Sequence, residues 1–337
     1  MNQSKQIDSE IPAEIGGYFG LDLPCHEELY PDALKLQSGR AAIRAVLEYA
    51  NIGQVFLPSY ICDSVIKAVT DSGAKIEFYA LDETLYPKNL PATIPEQAAV
   101  LYVNYFGLCA KNIAKLRTVI PANRLIIDNS QALFAAHQGE WATIYSPRKF
   151  VGVPDGGLLI HSTSLKFKMP DVEDSASIER MRPLIVRMAY SARQGYSDFK
   201  KIPLSLQDTT PLLMSRLTQR LLKSIPWVQV AQRRSENFLL MSKKLGSINR
   251  MYWELDVSDV QMCYPLTLPG EKVDQIRDQL TARNIFIPIY WQDALPRITP
   301  NSIETALTNH TLFIPIDQRM ESNQVKMLSD LLLKMAS

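Results

Sequence analysis

Short apolar segments alternate with helical segments over residues 54–161, and this alternation limits the folds open to the chain. The pattern predicts helices at 63–72 and 110–118, and strands at 54–58, 75–81, 98–106, 125–128, 141–145 and 157–161. Alternating β and α units predict an α/β fold with a mostly parallel, doubly wound sheet. Ligands of such sheets bind beyond the carboxyl ends of the strands. The residues that follow those ends are therefore the first candidates for a site.

One lysine lies just after such a strand end, inside a turn. An apolar run ends at Ile144 and Tyr145, Lys149 follows among Ser, Pro, Gly and Asp residues, and a second apolar run leaves at Leu158. This arrangement is typical of a strand, a tight turn and a strand. A lysine held in place can form an imine with a cofactor aldehyde. Our hypothesis is that Lys149 forms a Schiff base with pyridoxal 5'-phosphate.

A pyridoxal phosphate site needs further groups, and the sequence offers a candidate for each. Asp128, at the end of a buried strand, could keep the pyridine nitrogen protonated. Tyr60 could stack on the ring. The phosphate could bind to donors at a helix start and beside the lysine, namely Ser38, Gly39, Arg40 and Ser146. The order and spacing of these residues favour the hypothesis more than any one of them does.

Two other motifs include the same lysine. Tyr145 and Lys149 match the Tyr-x-x-x-Lys motif of short-chain dehydrogenases, and Ser146 and Lys149 match the Ser-x-x-Lys motif of serine acyl-enzymes. The first needs a glycine-rich dinucleotide turn and a helix through the motif, which Pro147 and Gly152 oppose. The second needs a Lys-Thr-Gly or Ser-Asp-Asn partner motif, and the sequence has neither. Pyridoxal phosphate chemistry is the better interpretation.

The rest of the chain differs from this first part. Residues 165–246 are charged and proline-interrupted, with a long loop predicted at 197–211 and a helix at 228–245. A second α+β unit follows, with strands predicted at 261–268, 285–290 and 311–316 and helices at 271–283 and 321–336.

Two domains are therefore predicted. Residues 1–240, with an N-terminal arm at 1–30, form a large cofactor-binding domain. Residues 241–337 form a small C-terminal α+β domain.

Charge and cysteine usage exclude several classes. The 36 basic and 35 acidic residues give a net charge of +1, so nothing indicates nucleic acid or an anionic membrane as a partner. The polar N-terminus and the absence of a long apolar run predict a cytoplasmic protein. The four cysteines and four histidines lack the spacing of a disulfide framework or a metal site, so no metal is expected.

Taken together, these residues resemble the DegT–StrS family of sugar-nucleotide aminotransferases, which are fold type I pyridoxal phosphate enzymes. The resemblance covers most of 35–161 and about 257–335. The matching motifs are Ser38-Gly39-Arg40, Pro58-Ser59-Tyr60, Asn104 to Gly107, Asp128-x-x-Gln131, and Lys149 followed by Gly156-Gly157. The resemblance implies that Asp128 contacts the pyridine nitrogen, that Gln131 contacts the ring's phenolic oxygen, and that the site lies at a homodimer interface.

The chain also departs from the family pattern. Arg40 stands where the family has Thr, which adds a guanidinium to the predicted phosphate site. Residues 165–210 replace a motif that in the family reaches into the partner subunit's site. Candidates for the substrate side are Asn104, at the position of a family His, Tyr105, and Tyr290, near a family substrate motif.

The resemblance implies transfer of an amino group, with glutamate as donor, to a nucleotide-linked keto sugar for surface polysaccharide or a secondary metabolite. Lys149 would also act as the general base and acid of the proton shift. One alternative is a pyridoxal phosphate enzyme acting on a non-sugar ketone or an amino acid. A second is a cofactor-binding regulator without turnover.

Overall fold

The computed structural model describes residues 16–163, 165, 167–252 and 259–336. Residues 1–15 of the predicted arm and residues 253–258 lie outside this description. A seven-stranded sheet has the order β1-β7-β6-β5-β4-β2-β3. Its strands are β1 (Leu34–Leu36), β2 (Gln54–Pro58), β3 (Lys75–Tyr79), β4 (Ala98–Val103), β5 (Leu125–Asp128), β6 (Ala142–Tyr145) and β7 (Gly157–His161). A second sheet pairs β8 (Cys263–Thr267) with β9 (Thr311–Pro315).

Helices connect and cover these strands. They are α1 (Gly39–Tyr49), α2 (Asp63–Asp71), α3 (Ala110–Val119), α4 (Ser177–Ala189), α5 (Ala192–Phe199), α6 (Ile202–Ser205), α7 (Arg216–Leu222), α8 (Trp227–Leu245), α9 (Gly270–Ala282), α10 (Ile303–Asn309) and α11 (Ser322–Ala336). Short 3₁₀ helices span Tyr105–Gly107, Ala122–Arg124, Pro147–Lys149 and Gln292–Arg297. Within the described ranges, no helix is both long enough and apolar enough to cross a membrane.

The large sheet is mostly parallel, as predicted. Strands β2 to β6 pair in parallel, and β7 runs antiparallel to both β6 and β1. Every residue of β4 is buried, which explains its unbroken apolar sequence, because helices cover both faces of such a sheet. Val103 of β4 pairs with Asp128 of β5, which pairs with Ile144 of β6. The carboxyl ends of three neighbouring strands therefore meet at one edge.

Helix α8 leads from the large sheet to the second one. It packs against β8 and against α11, and β8 and β9 form an antiparallel pair. Position 240, where the sequence predicts the domain boundary, lies within α8. The division at that position stays a prediction.

Two local predictions were wrong. Residues 285–290 form no strand, because the N–H of Ile285 still bonds to the carbonyl of Leu280 at the end of α9 and Pro288 can donate no ladder hydrogen bond. Residues 197–211 are not one loop, since α5 continues to Phe199 and α6 follows. Pro203 lies in the first turn of α6, where a backbone N–H has no partner within the helix and its loss costs nothing. This proline therefore begins a helix and does not interrupt one.

Candidate active site

The start of α1 forms one corner of the site. Ser38 caps the helix, and its side-chain oxygen accepts a hydrogen bond from the N–H of Ala41 at 3.2 Å. A Cβ placed on Gly39 would lie 3.2 Å from Oγ of Ser130 and 3.9 Å from Cβ of Ser146. The predicted phosphate residues Ser38, Gly39 and Ser146 therefore lie together. Ser130 joins them, and sequence reasoning missed it.

The Gly-Gly pair packs directly against this helix start. A Cβ on Gly157 would lie 2.2 Å from the carbonyl carbon of Ser38 and 2.6 Å from the nitrogen of Gly39. The N–H of Gly156, which has a φ of +120°, donates to the carbonyl of Gln37 at 2.6 Å. Only glycine fits at position 157, because the atoms that a side chain would meet are backbone atoms. The lysine turn and the helix start are thereby held in contact.

Asp128 and Gln131 follow the end of β5, and both are buried. One carboxylate oxygen of Asp128 accepts from the N–H of Ser130 at 2.8 Å, and the other has no hydrogen bond to a described residue. The side-chain oxygen of Gln131 accepts from the N–H of Phe106 at 3.1 Å. Its Nε2 is buried and has no partner among the described residues. A buried donor without a partner costs about 1–3 kcal/mol, which indicates an acceptor from outside the chain.

Lys149 is exposed and ends the 3₁₀ turn after β6. Its backbone N–H donates to the carbonyl of Ser146 at 3.1 Å. The next carbonyl, that of Phe150, accepts from Nη2 of Arg234 at 3.2 Å and from Nε2 of Gln318 at 2.9 Å. The backbone around the lysine is therefore anchored while its side chain remains accessible.

Arg234 of α8 is 2 % exposed, and the sequence carried no signal for its role. Its Nε donates to Gln318 at 3.1 Å, its Nη1 to the carbonyl of Met262 at 3.0 Å, and its guanidinium lies 4.6 Å from the ring centre of Phe150. Burial lowers the pKa of Arg234 to about 10. This side chain ties the lysine turn to the start of β8.

Aromatic side chains form a wall beside these residues. Tyr60 is fully buried, with its ring centre 5.8 Å from that of Tyr105 and 4.8 Å from that of Trp291. The hydroxyl of Tyr105 donates to the carbonyl of Tyr60 at 2.9 Å, whereas the Tyr60 hydroxyl has no partner in the part of the chain described. The ring of Tyr290 packs against Phe313 at 4.7 Å. The predicted stacking and substrate roles of these tyrosines stay predictions.

Arg297 clamps the loop that carries Tyr60. It donates to the carbonyl of Ser59 at 2.9 Å and to the carboxylate of Asp63 at 2.9 Å. Asp293 accepts from the backbone N–H of Asp63 at 2.7 Å. These contacts join the 3₁₀ helix 292–297 to the start of α2, and they place Trp291 against Tyr60.

Asn104 follows β4 and is 2 % exposed. Its Nδ2 donates to Asn129 at 3.1 Å, and its Oδ1 accepts from the N–H of Cys109 at 3.1 Å. Both ends of the side chain are therefore engaged inside the protein. Its predicted contact with substrate is supported by no described interaction and stays a prediction.

Part of the segment 165–210 covers the first turn of α1. The carbonyl of Leu206, itself fully buried, accepts from Nη1 of Arg40 at 3.0 Å. Arg180 of α4 forms a buried ion pair with Asp174. The segment 165–210 thus contacts Arg40, a predicted phosphate residue, within the same chain.

Arg148, directly before Lys149, is a third residue that sequence reasoning missed, after Ser130 and Arg234. Its Nε is buried, and the guanidinium forms no hydrogen bond or ion pair with a described residue. Burial, and next the charges of Arg40 and Arg180, lower the pKa of Arg148 to about 10, while Asp155 opposes the shift. An arginine directly before a candidate catalytic lysine is the one local signal that could have drawn attention to it.

Solved structures with the same fold include aminotransferases, and some of these are sugar aminotransferases. DesV of S. venezuelae, solved with a ketimine intermediate, is 20% identical, with 90% of this chain and 85% of that chain covered and a TM-score of 0.64. CalS13, a sugar aminotransferase of Micromonospora echinospora, is 15% identical over 90% and 87% of the two chains, with a TM-score of 0.60. A DegT DnrJ EryC1 StrS aminotransferase of Brucella abortus is 16% identical over 90% and 86%, with a TM-score of 0.60.

Neither the protein-family models nor the curated protein sequences include a match to this chain. The likeness is therefore one of architecture, and it extends over nine tenths of the chain. The predicted fold is confirmed: the chain has the fold type I architecture of these aminotransferases.

Proposed function

We propose that this protein is a pyridoxal phosphate-dependent aminotransferase that transfers an amino group, with glutamate as donor, to a nucleotide-linked keto sugar. One observation carries the proposal. Asp128 and Gln131 follow one strand end, Lys149 follows the next, and the buried Nε2 of Gln131 has no partner among the described residues. The reaction is argued from this site, because a fold by itself does not determine a function, and the fold shared with the sugar aminotransferase CalS13 agrees with it.

The residues fit the cofactor at each of its polar groups. The open oxygen of Asp128 could accept from a protonated pyridine nitrogen. The unpaired Nε2 of Gln131 could donate to the phenolic oxygen beside the aldehyde carbon. The start of α1, with Gly39 and Ser146, could take the phosphate, because the first N–H groups of a helix favour anions.

When bound, pyridoxal phosphate supplies an electron sink for a carbanion next to nitrogen. The chain's own residues would do the rest. Asp128 would keep the proton on the pyridine nitrogen, Gln131 would orient the ring, and the amine of Lys149 would take up and return a proton. Arg234 holds the carbonyl of Phe150, so the flexible stem of Lys149 can move while its backbone stays in place.

The substrate and assembly follow from the family resemblance. Asn104, Tyr105 and Tyr290 are the proposed substrate contacts. The proposed assembly is a cytoplasmic homodimer with the site at its interface, and the product would enter surface polysaccharide or a secondary metabolite.

A second substrate class has an observation in its favour. Part of segment 165–210 covers Arg40 of its own subunit, where the family pattern expects a motif that reaches into the partner's site. That difference favours a remodelled pocket, so a non-sugar ketone or an amino acid is the alternative substrate.

Cofactor attachment gives the first test. Protein incubated with pyridoxal phosphate should turn yellow, and borohydride, which reduces a carbon–nitrogen double bond, should fix the cofactor on the peptide that contains Lys149. Lys149→Ala should not be labelled, whereas the exposed control Lys200→Ala should be labelled like the wild type. A colourless wild-type protein, or label on another lysine, would overturn the proposal.

The half-reactions give the second test. Glutamate should convert the bound cofactor to its amine form, with a shift of the absorbance to shorter wavelength. That form should then be reoxidised by nucleotide-linked keto sugars and not by simple keto acids other than 2-oxoglutarate. Reoxidation by a small non-sugar ketone would favour the alternative substrate class, and failure with every amino donor would indicate a regulator without turnover.

A further inference from the structure

Arg148 carries a charge that the described protein does not balance. A guanidinium has five N–H donors, and buried charges in proteins are normally paired. Arg148 forms no ion pair or hydrogen bond with any residue of the described ranges, and its Nε is enclosed. Such a side chain indicates an anionic ligand that is not part of the chain.

Its location shows where that anion would lie. Ser146, two positions earlier, lies against Gly39 at the start of α1, with 3.9 Å between its Cβ and a Cβ built on Gly39. Arg40 follows Gly39. The charges of Arg40 and Arg180 contribute, after burial, to the lowered pKa of Arg148, so the three guanidinium groups are near one another. Arg40 belongs to that helix start, and Arg148 lies two positions after a residue that packs against it.

The nearby charges leave two arginines without a carboxylate. Asp174 neutralises Arg180. Asp155 is fully buried, and its oxygens accept from Ser215, with 3.2 Å to the N–H and 2.6 Å to Oγ. Arg40 donates to a neutral carbonyl, and within the described residues neither it nor Arg148 has an acidic partner. A phosphate could accept hydrogen bonds from both guanidinium groups, because its oxygens match their planar fork.

We propose that Arg148, together with Arg40 and the start of α1, binds a phosphate monoester dianion, namely the phosphate of the cofactor. This inference rests on the proposed function for the identity of the ligand. It assigns to Arg148 a binding role and leaves Lys149 as the catalytic residue. It also explains why the half-buried Arg148 has no partner among the described residues, because its partner arrives with the cofactor.

Paired titrations with pyridoxal phosphate and with pyridoxal, which lacks the phosphate, test the assignment. The wild type should bind the phosphorylated form much more tightly. Arg148→Gln should weaken binding of pyridoxal phosphate by about 10- to 100-fold, as for loss of a charged hydrogen bond, and leave pyridoxal binding unchanged. The affinity of Arg148→Lys for pyridoxal phosphate should lie between the affinities of the wild type and of Arg148→Gln. Arg182→Gln is the matched control, because that side chain is 75% exposed and lies on α4.

Inorganic phosphate gives a second measurement that needs no cofactor. It should raise the melting temperature of cofactor-free wild type and of the Arg182→Gln control, and not that of Arg148→Gln. Arg148→Lys, which keeps the charge, should retain part of the effect. If Arg148→Gln does not fold, the two measurements on Arg148→Lys decide, and wild-type behaviour of that variant in both would overturn the assignment.

The outcomes separate this inference from the proposed function. Equal affinity for pyridoxal phosphate in Arg148→Gln and in the control would refute the role of Arg148 and leave the aminotransferase proposal in place. Phosphate stabilisation that depends on Arg148, without uptake of pyridoxal phosphate, would support the anion site and refute the aminotransferase. Arg148→Gln could also lose the stabilisation by inorganic phosphate and still bind pyridoxal phosphate with wild-type affinity. That result would overturn the cofactor assignment and indicate that Arg148 binds a phosphate of the substrate.

Discussion

Gly157→Ala is the substitution whose effect the structure defines most sharply. The added Cβ would lie 2.2 Å from the carbonyl carbon of Ser38, 2.3 Å from its oxygen and 2.6 Å from the nitrogen of Gly39. Non-bonded carbon atoms pack at about 3.5–4.0 Å, so the two segments would have to separate by more than about 1 Å. Neither can move freely, because β7 pairs with β1 and the N–H of Gly156 bonds to Gln37.

The magnitude follows from what must move. Overpacking a core typically costs about 1–3 kcal/mol when side chains can rearrange, and here both partners are hydrogen-bonded backbone. We therefore expect Gly157→Ala to lower the free energy of unfolding by at least about 3 kcal/mol, a large part of the roughly 5–15 kcal/mol of a typical domain. The same shift would displace Gly39, so uptake of pyridoxal phosphate should be lost as well.

Gly152→Ala is the control within the same turn. A Cβ on Gly152 meets nothing within 4 Å, and this glycine is not in the left-handed region. Since alanine reduces the entropy of the unfolded chain, this variant should be neutral or more stable by up to about 1 kcal/mol. Urea denaturation of both variants, followed by far-UV circular dichroism, measures the difference. A Gly157→Ala protein within about 1 kcal/mol of Gly152→Ala would refute the close packing of the lysine turn on the start of α1.

Three further substitutions test separate parts of the site. Tyr60→Phe removes a buried hydroxyl without a described partner, so cofactor-free protein should be more stable to urea by about 1 kcal/mol, and a loss of stability would contradict the unpaired hydroxyl. Arg234→Met leaves several backbone carbonyls without donors and should cost roughly 3 kcal/mol in the same assay, with little recovery in Arg234→Lys; an unchanged midpoint would contradict the anchoring role. Burial alone would raise the pKa of Glu140, but hydrogen bonds from His137 and Thr143 lower it below 4.5. Its contribution to stability is thus present above that pH and lost on acidification, so Glu140→Gln should flatten the fall in melting temperature between about pH 5 and 3, and an unchanged slope would contradict this.

Local sequence patterns predicted much of the fold. The strand predicted at 125–128 matches β5, and those predicted at 54–58 and 157–161 match β2 and β7. Such segments are short and apolar and lie between turn residues, so their signal is contained within a few positions. The segment 285–290 shows the limit of that signal, since it is apolar, yet no neighbouring strand pairs with it.

The structure brings some of the predicted site residues together, and the reason differs from residue to residue. Asp128 and Lys149 follow strand ends, so the topology of the sheet brings them to one edge. Ser38 and Gly39 join them because Gly157 packs against their peptide. The substrate role of Asn104 was predicted because it stands where the family has His; both ends of its amide are engaged by Asn129 and Cys109, and the role stays a prediction.

The sequence by itself determined the order of the strands and helices over residues 54–161, the lysine turn and the residues at the strand ends, because these depend on spacing and on local conformational preference. Only the tertiary structure decided which side chains remain without a partner. Arg234 reaches the lysine turn from 84 residues away in the chain, and Leu206 covers Arg40 from 166 residues away. Whether Arg148 or Gln131 has a partner depends on every element packed around it, and a local sequence pattern does not contain that information.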